Sequence, residues 1–205
     1  RVTYNGHCAV LYENLVDFAR ELLGVSEDAI DSSLINMKAK EEIYIEERGN
    51  EDWIYLSTYY KAEKNIAEKL IELREYKNIN AIENLDRKLK KIEKTQKIEL
   101  SDKQKEAVKL VNDNNVCVIT GGPGTGKTTI IKSIIDIYKE EELKITLCAP
   151  TGRAAKRMTE ATGEEAKTLH RVLEIGKFAS EDEINPDLLV TPIDANVVII
   201  DEASM

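Results

Sequence analysis

The spacing of apolar residues changes character several times along the chain. Leu11, Leu15, Phe18, Ala19 and Leu22 recur at helical intervals, and Gly24 follows as a stop. Ser26 stands where a second helix would be capped, with Glu27 and Asp28 in its first turn and Ala29, Ile30, Leu34 and Met37 as the side to be buried. The period then shortens to two: Glu42-Ile-Tyr-Ile-Glu46 alternates, Arg48-Gly-Asn-Glu51 turns, and Trp53-Ile-Tyr-Leu56 returns, which predicts a hairpin. Two short helices and a hairpin describe a winged-helix-like region over residues 1–57. Its second helix carries acid at its start and only Lys38 and Lys40 as cations, at its end. A scaffold or protein-contact module is therefore favoured over a reader of the major groove.

Helical spacing resumes from Tyr59 to about Tyr76, with Ile66, Leu70 and Leu73 as the stripe and Glu63, Lys64, Glu68 and Lys69 outward. Residues 81–97 are dominated by charge, and Arg87, Lys88, Lys90, Lys91, Lys94 and Lys97 make them locally basic. A solvated helical linker over 58–97 is the favoured account, and a nucleic-acid stripe is the other. From Ile98 the pattern changes again. Ser101 is placed to cap a helix whose Ala107, Val108 and Val111 face inward. Val116–Thr120, Lys144–Ala149 and Asn196–Ile200 are short, almost unbroken apolar runs, as in strands buried on both faces of a parallel sheet. The expected fold class is α/β, with a parallel sheet over 98–205 behind the small helical region.

Each apolar run leads into residues that carry chemistry. Gly121-Gly-Pro-Gly-Thr-Gly-Lys-Thr-Thr129 matches G-x-x-x-x-G-K-[ST] between a predicted strand and a predicted helix, which is the context a phosphate loop requires. Gly121, Gly122, Gly124 and Gly126 let backbone N–H groups turn inward toward phosphate oxygens, with Pro123 and Thr125 between them, at the positive end of the helix dipole. Lys127 supplies a point charge for the β- and γ-phosphates. The Thr128 hydroxyl is a ligand for Mg2+, and Thr129 completes the set. At the end of the last run stand Asp201 and Glu202. Asp201 is assigned to the same magnesium ion, and Glu202 to deprotonating a water in line with the γ-phosphate. The chain is thus read as a nucleoside triphosphatase.

Several motifs in order carry a family resemblance. Gln104 in the setting Ser101-Asp-x-Gln104 precedes the phosphate loop, and Ala149-Pro-Thr-Gly-Arg-Ala-Ala-Lys-Arg157, Lys167-Thr-Leu-His170 and Asp201-Glu-Ala-Ser-Met205 follow it. Residues 98–205 resemble the first RecA-like motor domain of the RecD-type superfamily 1B DNA helicases, the alpha subunit of exodeoxyribonuclease V and its free-standing relatives. Gly6-His-Cys8 and Ile54-Tyr-Leu56 with Tyr59-Tyr60 are similar to the N-terminal extension of the free-standing members. The resemblance implies a truncated RecA-like P-loop NTPase domain and an ATP-dependent 5′-to-3′ helicase or translocase acting in DNA repair or recombination. It implies that Gln104 recognises the adenine edge, making ATP the nucleotide. It further implies that Thr151, Gly152, Arg153, Lys156 and Arg157 contact single-stranded DNA, and it places Thr168 and His170 near the DNA side. Exonuclease V subunits are candidate partners. Family members use a second motor domain, so this chain is expected to be an excised piece that hydrolyses ATP poorly alone. Another phosphate-loop ATPase, such as a AAA-type remodeller, and a non-motor nucleotide-binding regulatory module are the alternatives.

Composition sets the bounds. The 205 residues include 42% hydrophobic and 33% charged positions, enough for a real core. No apolar run reaches the length of a membrane span and no signal peptide opens the chain, so the cytoplasm is the expected location. The net charge of −9 argues against a globally basic nucleic-acid binder but leaves room for local basic contacts. The three cysteines are odd in number; Cys117 and Cys148, in predicted core strands, read as small buried hydrophobes in a reducing compartment and not as a disulfide set, and Cys8 beside His7 is too sparse for a metal site.

Overall fold

A computed structural model describes residues 6–76, 78, 81–175 and 192–205. The chain divides between Glu75 and Tyr76 into two units, each with its own core.

The first unit begins with β1 (Ala9–Leu11), which runs straight into α1 (Tyr12–Leu23). Then come α2 (Glu27–Ala39), β2 (Ile43–Arg48), β3 (Glu51–Leu56) and α3 (Ser57–Glu75). The sheet is antiparallel in the order β1-β3-β2, and Ile54 lies opposite both Val10 and Ile45. Paired residues share a face of the pleat. Val10, Ile43, Ile45 and Ile54 accordingly gather with Val16, Ile30 and Leu34 in one apolar cluster. The helix–helix–hairpin order matches expectation, whereas β1 is too short, at three residues, to show an alternating pattern. The inward side of α1 centres on Val16, and Leu22 is 60% exposed. Gly24 takes the left-handed conformation that ends α1, and its N–H donates to the Arg20 carbonyl at 2.9 Å.

The expected divisions at residues 57 and 97 differ from this boundary. α3 belongs to the first unit, where Tyr60 stacks on Tyr44 of β2 with ring centroids 3.6 Å apart and Glu63 lies 3.9 Å from Arg48. The remainder of the expected linker is α4 (Leu85–Gln96), which belongs to the second unit. Nor is α4 a solvated helix: Leu89 and Ile92 are fully buried in the same cluster as Leu100, Val108, Ile130, Ile134 and Ile137. A stripe this narrow is hard to see among so many lysines, yet a leucine and an isoleucine three positions apart give the helix one apolar side.

The second unit continues with α5 (Asp102–Asp113), α6 (Lys127–Glu140), β4 (Ile145–Ala149), α7 (Gly152–Thr162), β5 (Ala166–Thr168), α8 (Leu169–Val172) and β6 (Val197–Ile200). Its sheet is parallel in the order β5-β4-β6, with Leu147 opposite Ala166 on one side and Ile199 on the other. α6 packs on this sheet through Ile131 and Ile135 against Leu147, Ile145 and Ile199. A buried amide ties α4's approach to α5: Asn112 Oδ1 accepts from the Ile82 N–H at 2.7 Å, and Asn112 Nδ2 donates to the Ile82 carbonyl at 3.4 Å.

One expected strand is not formed. Val116–Thr120 carries no strand ladder; Cys117 is exposed and Val118 is 82% exposed, while Ile119 packs against the core. An apolar run becomes a strand buried on both faces only when neighbours flank it on both edges. Among the described residues β6 pairs with β4 alone, and no strand pairs with 116–120.

Candidate functional site

Parallel pairing fixes which residues share an edge of the second sheet. The carboxyl ends of β4, β5 and β6 lie together, so Thr151, Thr168 and Asp201 emerge from one edge. α6 reaches the same edge by its start. It covers 14 residues, about 21 Å at 1.5 Å per residue, and a four-residue turn then joins its end to the beginning of β4. Its first residue, Lys127, must therefore lie toward the far edge, where β4 ends. The glycine-rich segment and the acidic pair are thus on the same side of the sheet.

The glycine-rich segment is folded on itself. Gly124 and Gly126 have φ of 76° and 82°, in the left-handed region open to glycine. Gly126 is the N-cap of α6, whose ladder starts with the Ile130 N–H donating to the Gly126 carbonyl at 3.1 Å. Lys127 Nζ donates to the carbonyls of Gly121 and Gly122 at 2.6 and 2.9 Å, and Thr125 Oγ1 donates to the Gly122 carbonyl at 2.9 Å. A Cβ at position 121 would lie 2.7 Å from Thr125 Oγ1, so the first glycine is needed for close approach. Thr128 is exposed at the start of α6; Thr129 is half-buried, and its carbonyl accepts from Ser133 Oγ at 2.9 Å. Gly122 and Pro123 are exposed on the loop. In this state the curl is closed by the carbonyls of Gly121 and Gly122, which hold the Lys127 ammonium.

At the end of β6, the Asp201 N–H donates to the Cys148 carbonyl at 3.0 Å, extending the β4–β6 pairing by one bond. Asp201 Oδ1 accepts from the Glu202 N–H at 3.0 Å. Glu202 is exposed and has φ of 54°, a left-handed conformation uncommon for glutamate. The local bond from Asp201 supports that turn and leaves both carboxylates at the sheet edge. The Thr128 hydroxyl and the Asp201 carboxylate are hard oxygen donors of the kind magnesium takes; two protein ligands leave its other positions to phosphate and water.

The third group is α7. Thr151 Oγ1 accepts from the Ala154 N–H at 3.2 Å and caps the helix. Ala154, Ala155 and Met158 are buried, while Gly152, Arg153, Lys156 and Arg157 are exposed on the outer side. Arg153 and Arg157 make no ion pair among the described residues, and Lys156 has one long contact, 3.9 Å, to Glu160. Thr168 caps α8 by accepting from the Arg171 N–H at 3.3 Å, and His170 is exposed in that four-residue helix.

Gln104 sits at the N-terminus of α5 in a capping box. Its Oε1 accepts from the Ser101 N–H at 2.9 Å, and Ser101 Oγ accepts from the Gln104 N–H at 3.3 Å. Its Nε2 also donates to the Thr125 carbonyl at 3.2 Å. The capping box is legible as Ser101-x-x-Gln104, but the link to the loop joins residues 21 positions apart and has no signature in the sequence.

The AAA domain family matches residues 104–205. An ATP-dependent RecD2 DNA helicase from Deinococcus radiodurans is 34% identical over 190 residues, 93% of this chain and 24% of that protein. The RecBCD enzyme subunit RecD of Buchnera aphidicola subsp. Schizaphis graminum is 38% identical over 181 residues, covering 75% of this chain and 28% of the relative. Its namesake from Mycobacterium tuberculosis is 30% identical over 177 residues, with 74% and 28% covered. The chain spans about a quarter of the length of the curated relatives it matches.

Proposed function

The chain belongs to the RecD-type helicase family, and we propose that it contributes the ATP site and a DNA-contacting surface to a 5′-to-3′ DNA helicase or translocase acting in DNA repair or recombination. Residues 98–205 are the motor portion in this reading. What supports it is the parallel pairing that brings the ends of β4, β5 and β6 to one end of the sheet, toward which the start of α6 also points.

In this reading the N–H groups of Gly122, Gly124, Thr125 and Gly126 and the start of α6 hold the phosphates of ATP. Lys127 leaves the carbonyls of Gly121 and Gly122 to reach the β- and γ-phosphates, exchanging two neutral acceptors for a charged one. Thr128 and Asp201 would hold magnesium, which when bound neutralises phosphate charge. Glu202 accepts the proton of the attacking water. Arg153, Lys156 and Arg157 contact the phosphates of single-stranded DNA, with Thr151, Gly152 and His170 beside them, a contact independent of sequence because phosphate carries no base information. Coupling of the two sites gives directed movement on the strand. A cytoplasmic location is part of the proposal; no helix among the described residues is long and apolar enough to cross a membrane. Other exonuclease V subunits are the proposed protein partners, because relatives carry the name of a RecBCD subunit.

The test is ATP turnover by the full-length protein with and without single-stranded DNA. Turnover is expected to rise with DNA, and Lys127→Ala is expected to abolish it. Lys127→Ala with unchanged turnover would remove the nucleotide assignment. Turnover indifferent to DNA would remove the helicase assignment and leave a remodelling ATPase.

A further inference from the structure

Gln104 is a joint between a helix cap and the phosphate loop, and its bonding leaves room for a second duty. A side-chain amide has two N–H donors and two acceptor lone pairs. In Gln104 one acceptor takes the Ser101 N–H, and one donor is given to the Thr125 carbonyl. One donor and one acceptor remain, which is what the edge of an adenine requires. The same Nε2 also lies close to Gly126. A Cβ added at Gly126 would collide with Gln104 Nε2. The φ of 82° at position 126 favours glycine there, and a larger residue would also displace the Gln104 amide from the loop.

Thr125 is itself tied into the curl, since its Oγ1 donates to the Gly122 carbonyl at 2.9 Å. A continuous path of hydrogen bonds thus runs from the Ser101 cap through Gln104 to Thr125 and Gly122, next to the carbonyls that hold Lys127. We infer that Gln104 is a positioning residue for the phosphate loop, acting on the grip of the triphosphate whatever base is attached, through its bond to the Thr125 carbonyl. The inference rests on the nucleotide site proposed above and adds a role separate from recognition of the base.

A base-free ligand separates the two roles. Inorganic tripolyphosphate carries the phosphates of ATP and nothing for an adenine reader to touch. Its binding to the full-length protein is measured by displacement of a fluorescent ATP analogue, for the parent sequence, Gln104→Ala and Ser101→Ala. Ser101→Ala weakens the same helix cap but keeps the Gln104 side chain, so it controls for loss of α5. Thermal melting of both variants confirms comparable folding. Gln104→Ala is expected to weaken tripolyphosphate about five- to tenfold, the loss of one working hydrogen bond, while Ser101→Ala stays within about twofold. Tripolyphosphate binding unchanged in Gln104→Ala, with ATP weakened, would overturn the inference and confine Gln104 to the base. Equal weakening by both variants would overturn it too, because the cause would then be the helix cap. A parent protein that binds neither ATP nor tripolyphosphate would take away the nucleotide site itself, a result distinct from the other two.

Discussion

α4 and α7 are basic helices of 12 and 11 residues, and they use their charge differently. In α4 Lys88 and Lys91 face acids at the end of α6, whereas Arg87, Lys90 and Lys94 make no ion pair among the described residues. Lys88 pairs with Glu141 and lies 3.6 Å from Glu140, Lys91 lies 2.8 Å from Glu140, and the acids of α4 answer in kind, Asp86 to Lys109 at 2.7 Å and Glu93 to Lys105 at 3.0 Å. The charges of α4 brace it against α5 and α6. In α7 the apolar side is buried against the sheet, and Arg153 and Arg157 stand outside it without an acidic partner among the described residues. A basic run is therefore a brace or a contact surface according to the acids that the fold brings to it, and its own sequence does not decide. In a chain of net charge −9, cations left unanswered at a sheet edge are the notable case.

The comparison breaks most visibly beneath the charges. Leu89→Ala removes the buried anchor of α4 and is expected to cost about 3 kcal/mol of stability, read from a shifted urea midpoint; a shift under a third of that would mean that the ion pairs alone hold the helix. Next in size is Arg153→Ala with Arg157→Ala. Single-stranded DNA affinity is expected to fall about tenfold, and the slope of log affinity against log salt to shrink by about 1.4, two contacts at roughly 0.7 each. Melting should hardly change. A weaker affinity with the same slope would mean that the arginines are not phosphate contacts.

Lys88→Ala with Lys91→Ala reverses the pattern. Stability is expected to drop by about 1 kcal/mol, as for ion pairs at a partly covered surface, with DNA affinity unaltered. A DNA effect equal to that of the arginine pair would erase the distinction between the helices. The smallest effect is in acid. Lys109 holds the Asp86 carboxyl below its ordinary value, the Leu100 N–H and then Lys105 do so for Glu93, and Lys91 does so for Glu140. Depressed carboxylate pKa values give stability that is fully present above the unfolded-state values, near 4 to 4.5, and lost as pH falls through the folded ones. The urea midpoint should be level from pH 7 to about 5 and fall below, and Glu93→Gln should flatten the fall. An unchanged acid limb would show that these pairs contribute nothing.

How much of this was legible depended on the range of the interaction. The phosphate loop was readable because its chemistry is contiguous: glycines with positive φ, then Lys127 and Thr128 on the first turn of a helix. The two Oγ-capped starts at Ser101 and Thr151 were open to reading for the same reason. The burial of α4 was not, since two apolar residues among many charges identify a buried side only when Ile134 and Ile137 are known to lie opposite. Nor was the state of Val116–Thr120. Its composition predicts a strand, but pairing depends on neighbours whose presence no local pattern records. The Asn112 clamp on Ile82 spans 30 positions and consists of an ordinary asparagine whose role is visible only in place. Residues 176–191 lie outside the described residues.

The outer side of β6 has a practical consequence. Among the described residues β6 pairs with β4 alone, and its Val198 and Ile200 are 41% and 46% exposed. An exposed strand edge is a template on which another copy can add itself as one more strand. At high concentration the polypeptide is expected to gather into assemblies, read as a rise in scattered light, and Val198→Lys is expected to suppress them.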